Sequence, residues 1–153
     1  MFWLGLIIGV GVTLLVFIVF LPRKMFLVSK SKLNFGETAE KIIESTAINN
    51  WSMPAQYDLQ ATLGKHGFDV KPVRVFSICK PELANKILEG NEERVVSALM
   101  PCRLAIYEGK DGKTYVSRLN APFFARLLGS KIKNVMVAAG AETEIILEAV
   151  LKK

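Results

Sequence analysis

Histidine occurs once in these 153 residues and cysteine twice, and that scarcity removes several chemistries at once. His66 has no partner in an HxxxH or HExxH spacing, so a closed metal site is not expected, and a Lys-His-Gly turn suits a solvent-exposed ring. Cys79 and Cys102 form no CxxC, which leaves zinc-ribbon and thioredoxin-like readings without a motif. Two thiols are also too few for a disulfide-dense secreted scaffold. No serine lies in GxSxG, and no GxGxxG or GxxxxGK[ST] follows a strand-like run, so a nucleotide cradle is not expected. Cofactors and bound metals are accordingly not expected. Charge is missing from one place above all: Met1 to Leu21 holds no Asp, Glu, Lys or Arg.

That uncharged run is the strongest feature present. As a helix, Phe2 to Leu21 rises about 30 Å, the thickness of a bilayer's hydrocarbon core. No basic residue precedes it, and Leu21-Pro22-Arg23-Lys24 offers no small-x-small cleavage site. The expectation is a retained transmembrane anchor over residues 1–22, closed by Pro22. A basic juxtamembrane segment over 23–33 follows, with Arg23, Lys24, Lys30 and Lys32 as membrane-surface contacts. The positive-inside rule then puts the protein in the inner cell membrane as a single-pass chain, its remaining residues cytoplasmic. Gly5 and Gly9 form a GxxxG that suits close helix approach, so a homodimer or a place in a larger membrane complex is a candidate assembly.

Beyond the anchor the chain is electrically ordinary. The formal charge is +6, but four of the twenty Lys and Arg lie in the juxtamembrane stretch, leaving sixteen basic against fourteen acidic residues from Asn34 onward. No basic stripe with interleaved aromatics appears, so a nucleic-acid partner is not expected.

About 130 residues remain, enough for one domain with its own core. Met25 to Asn34 alternates as a strand. Phe35 to Thr46 reads as a helix burying Ala39, Ile42, Ile43 and Thr46. Trp51 to Tyr57 is extended, with Pro54 favouring a sheet edge, and Asp58 to Lys65 is a short helix. Val73 to Cys79 is a strand, Pro81 to Leu88 a helix opened by its proline, and Glu92 to Leu99 a helical turn or two. Pro101 to Glu108 and Thr114 to Leu119 flank an Asp111-Gly112 hairpin, read as a type I′ turn. Pro122 opens a helix to Leu128. Ser130 to Leu151 is amphipathic, burying Ile132, Val135, Met136, Ala139, Thr143, Ile146, Leu147 and Val150, with a break near Gly140. Glu142 and Glu144 read as a solvated face. Together these imply an α+β fold: a two-layer sandwich of helices on a small, mostly antiparallel sheet, preceded by one transmembrane helix.

Several of these segments resemble domain-of-unknown-function family 302. They are Phe35-Gly36-Glu37-Thr38-Ala39-Glu40-Lys41-Ile42, the Val73–Cys79 strand running into Lys80-Pro81, and Met100-Pro101-Cys102-Arg103-Leu104-Ala105-Ile106-Tyr107-Glu108 with Asp111-Gly112-Lys113 and Tyr115-Val116-Ser117. The likeness covers the domain at 26–151. It implies the compact TT1751-like sandwich, and it implies no reaction and no catalytic residues.

The one constellation left for chemistry is a thiol site. Cys79 closes one strand and Cys102 opens another, so neighbouring strands would bring both sulfurs to one sheet end. Lys80 and Arg103 adjoin them, and nearby positive charge lowers a thiol's pKa. Trp51, Tyr57, Phe123 and Phe124 are candidates to line an apolar groove, although aromatics at such positions are more often core. Three functions follow. The first is a non-catalytic binding module at the membrane surface. The second is a thiol protein for redox, sulfur or metal handling through Cys79 and Cys102, and the third an accessory subunit of a larger membrane complex. An enzyme is the less favoured class.

Overall fold

The computed structural model describes residues 2–126 and 128–151, with the side chains of Phe2 and Leu4 left aside. A helix α1, Phe2–Met25, leads directly into strand β1, Phe26–Lys30. The remaining elements are α2 Phe35–Ile48, β2 Ser52–Asp58, α3 Leu59–Gly64, β3 Val73–Cys79, α4 Pro81–Leu88, a 3₁₀ segment Glu93–Leu99, β4 Cys102–Glu108, β5 Thr114–Leu119, α5 Ala121–Ala125 and α6 Ser130–Leu147. The strands form one sheet in the order β1-β5-β4-β3-β2, every pair antiparallel. The α+β sandwich is as read. Pro54 lies in β2, an edge strand whose register slips between Ser52 and Ala55, so the missing N–H costs no ladder bond within the sheet.

The core forms where one sheet face meets α2 and α6. Phe76, Ile78, Leu104, Ile106 and Val116 pack on Ala39 and Ile42 of α2, and on Ala139, Ile146 and Leu147 of α6, with Trp51 and Val150 completing the cluster. A smaller cluster of Ile87, Val96, Ile132 and Val135 joins α4 and the 3₁₀ segment to the start of α6. Helix α2 starts on a capping box. Asn34 Oδ1 accepts from the Glu37 amide at 2.9 Å, and Glu37 Oε2 accepts from the Asn34 amide at 3.2 Å, which satisfies two otherwise unpaired donors.

Five local readings are corrected. Pro22 does not close α1, which runs through it to Met25; its fixed φ is helical and only one intrahelical bond is forgone. Ile43 is 36% exposed, and the buried face of α2 turns toward Thr38, Ala39, Ile42, Ser45 and Thr46 instead. The β4–β5 turn is not type I′. Gly112 has φ 69° but Asp111 does not have positive φ. The Gly112 amide donates to Gly109 O, and the Gly109 amide to Lys113 O. That is a type I turn closed by a left-handed glycine. Helix α5 stops at Ala125, short of Leu128, and Leu127 lies outside the described residues. Helix α6 is unbroken at Gly140. A Cβ there would meet Ala121 Cβ at 3.3 Å and Pro122 Cδ at 3.4 Å, so this glycine serves the approach of α5 rather than a bend.

Candidate functional site

Strand direction fixes what gathers where. Since β1 starts where α1 stops and all neighbours are antiparallel, the sheet end beside α1 holds the start of β1, the end of β5, the start of β4, the end of β3 and the start of β2. Phe26 faces Leu119, Cys102 faces Ile78, and Ser52 faces Cys79. The two cysteines therefore share an end of the sheet with each other and with the α1 junction, β4 being two strands from β1 and β3 three, or about 10 and 15 Å at strand spacing.

Both sulfurs are free. Cys102 packs against the main core beside Leu104, and Cys79 lies one residue beyond the Ile78–Cys102 pair. Side chains alternate along a strand, so Cys79 is directed to the face opposite Ile78 and Cys102. The local charge does not lower either pKa. Burial raises the Cys79 thiol, assisted by the Glu82 carboxylate, and burial raises Cys102, assisted by Cys79. Lys80 is occupied elsewhere, and Arg103 is exposed opposite Ser77.

Lys80 reaches across to α6. Its Nζ donates to Glu142 Oε2 at 2.5 Å, and the same oxygen accepts from Trp51 Nε1 at 2.9 Å. The Lys80 and Trp51 hydrogen bonds hold the Glu142 carboxyl below its usual range against a small opposing effect of burial. Two residues along, Glu144 takes a bidentate grip from Arg118, whose Nε and Nη2 each donate at 2.6 Å. Arg118 is 7% exposed and also donates to Ser29 Oγ at 3.1 Å. Glu142 and Glu144, read as a solvated face, do stay part-exposed at 32% and 45% of their side-chain surface, but both carboxylates are paired. Positions i and i+2 lie about 200° apart around a helix, so one carboxylate faces β3's exit and the other faces β5. The partners are distant in sequence, and the only advance signal was two acids on a helix otherwise needing a buried face.

The basic collar is divided. Arg23 and Lys24 end α1. The Asn120 amide donates to Met25 O, and Asn120 Nδ2 to Lys24 O, each at 2.9 Å. Asn120 Oδ1 accepts from the Phe123 amide at the head of α5. One residue thus ends the long helix and starts the short one. Lys30 sits at the other end of β1, its Nζ 3.6 Å from Asp111 at the hairpin tip. Lys32 lies past it, its amide bonded to Val150 O. A five-residue strand, about 17 Å long, separates these two lysines from Arg23 and Lys24.

The groove aromatics do not converge. Trp51 is core, Tyr57 is exposed, and Phe123 and Phe124 stack edge to face at 5.8 Å on α5. Among the described residues, no group of three or more His, Cys, Asp or Glu side chains is placed to hold a metal ion. An open cleft of about 350 Å³ lies between α1 and α5, lined by Lys24, Asn120, Pro122, Phe123 and Arg126.

The family described as "Domain of unknown function DUF302" matches residues 27–151. No curated protein matches the chain. Among solved structures, the crystal structure of an uncharacterized conserved DUF302 protein from Bacillus stearothermophilus superposes with a TM-score of 0.73. The alignment covers 82% of this chain and 97% of that one at 19% identity, a likeness of fold alone.

Proposed function

The chain belongs to the DUF302 family, a family of unknown function, and on that premise we propose that it is a membrane-anchored, non-catalytic binding module. In this reading α1 crosses the inner membrane once, the DUF302 domain stands in the cytoplasm, and its work is to hold a partner or ligand at the lipid surface. The observation that carries it is the junction at Met25–Phe26. A helix of transmembrane length and composition, Gly5–Met25, has none of its apolar window buried in the fold, and its end enters the sheet with no intervening residue. With no linker residue and with Asn120 bonded to Lys24 O and Met25 O, this junction keeps the domain close to the end of the helix. Arg23 and Lys24 at that end agree with a cytoplasmic orientation.

Carbonate extraction of membranes from expressing cells tests the anchor, which predicts that the chain stays in the pellet. C-terminal alkaline-phosphatase and fluorescent-protein fusions test orientation, and only the fluorescent fusion should be active. Native mass spectrometry of the gently extracted protein tests for a homodimer through Gly5 and Gly9, or for an accessory place in a larger complex. The thiol reading is favoured by one observation, that Cys79 and Cys102 share a sheet end. Their raised pKa values oppose it, because the thiolate is the reactive form.

A further inference from the structure

We propose that the cleft between the end of α1 and α5 binds the phosphate of an anionic phospholipid headgroup. The proposal rests on the anchored reading above and adds a ligand and a place for it.

Lys24 comes from the last turn of α1 and Arg126 from the residue that follows α5. Both line one open cleft of about 350 Å³. Neither takes part in an ion pair among the described residues, which is equally true of Arg23, Lys32, Lys65, Lys86, Arg94, Arg103, Lys110, Lys113 and Lys133. What sets Lys24 and Arg126 apart is that both line one cleft whose other lining residues include no acid. Two cations facing one cleft without an acid repel each other, and an anion between them reverses the sign of that interaction. A guanidinium offers phosphate a planar fork of donors and an ammonium offers a point charge, a complementary pair for one phosphodiester. Asn120 keeps the two sources together, since its side chain bonds α1 and α5 at once.

The rest of the cleft suits a lipid better than a free ion. Its other wall is Pro122 and Phe123, apolar surface that a glycerol backbone and first methylenes would cover. Above it α1 offers Phe20, 56% exposed, and Leu21, on which an acyl chain would lie. Lys24 stands where an apolar helix of this length passes from hydrocarbon to headgroups.

Native mass spectrometry of the full chain tests this in micelles doped with equal phosphatidylcholine and phosphatidylglycerol. The phosphatidylglycerol adduct should predominate about tenfold, and Lys24→Ala and Arg126→Ala should each lower that preference about fivefold. Arg126→Lys should keep part of it, and Lys86→Ala, an exposed cation on α4, should leave it unchanged. Thermal unfolding coincident with the wild type shows that each variant is folded. Excess inorganic phosphate separates the two sources. An unmoved lipid adduct supports the headgroup, and displacement of the lipid by phosphate makes the site a free-phosphate site and overturns the proposal. Equal binding of both lipids by a chain that resists carbonate overturns the headgroup site alone. A chain that carbonate removes overturns the anchor, and this proposal with it.

Discussion

The two ends of the sheet are built differently. At the hairpin end several polar side chains pair within the fold, although Lys32, Lys110 and Lys113 take part in no ion pair among the described residues. Lys30 pairs with Asp111, Lys71 with Glu108 at 3.0 Å, and the Tyr115 hydroxyl donates to Asp111. Tyr107 stacks on Tyr115 at 5.7 Å, and Ser31 and Thr38 share a buried hydrogen bond at 2.8 Å. At the α1 end stand two free thiols, the exposed ring of Phe26 and four cations that take part in no ion pair among the described residues (Arg23, Lys24, Arg103 and Arg126), beside the matched Lys80–Glu142 pair. Groups matched inside a fold leave nothing for another molecule, and unmatched ones leave surface to be covered. On the reading proposed above, the hairpin end serves stability and the α1 end serves contact.

The largest test of that contrast lies between the ends. Glu144→Ala strips the partner from Arg118, a cation with little access to water, and should cost about 3 kcal/mol, read by urea unfolding of the solubilised chain. Arg118 also ties β1 through Ser29, so amide exchange along β1 should rise at both ends. A change under about 0.5 kcal/mol would show the charge to be solvated and the tie unimportant.

Next in size is Gly112→Val at the hairpin tip, where φ is 69°. A β-branched residue there should cost about 1–2 kcal/mol in thermal unfolding without changing lipid binding. Equal stability would remove the hairpin end's claim to a structural role.

Acid should act next, and at the α1 end. The folded pKa of Glu142 is depressed by Lys80 and Trp51, so its contribution is complete above the ordinary carboxylate value of 4.5. It is then lost as pH falls through the lower folded value. Unfolding followed from pH 6 downward should show the loss beginning near about pH 5, and Lys80→Met should flatten that part of the curve. An unchanged curve in the variant would place the acid sensitivity elsewhere.

The smallest effect concerns the thiols. With both pKa values raised from 9.0, maleimide labelling of the folded protein at neutral pH should be slower than that of a free thiol, with Cys79 ahead of the more buried Cys102. Fast labelling of either at pH 7 would restore the redox reading and make the α1 end a reactive site.

What could be read from residues alone followed from local periodicity. The strand at Val73–Cys79, the helix opened by Pro81 and both arms of the hairpin were legible because their side chains alternate or recur over a few positions, and because Pro and Gly mark their ends. The misreadings have two causes. Pro22 continues its helix and the hairpin turn is type I for reasons of local backbone geometry, whereas which way Ile43 turns and what Gly140 serves are decided by packing against elements far away in sequence.

The same division runs through the candidate site. The order of residues by itself set an apolar helix of membrane length, its basic end, the secondary elements and the scarcity of catalytic motifs, since each depends only on composition and near neighbours. Tertiary structure alone brought Cys79 and Cys102 to the α1 end, gave Glu142 to Lys80 and Glu144 to Arg118, and put Arg126 and Lys24 on one cleft. Those pairings depend on antiparallel strand order and on two faces of one helix meeting separate strands, and no local pattern encodes which distant charge will arrive.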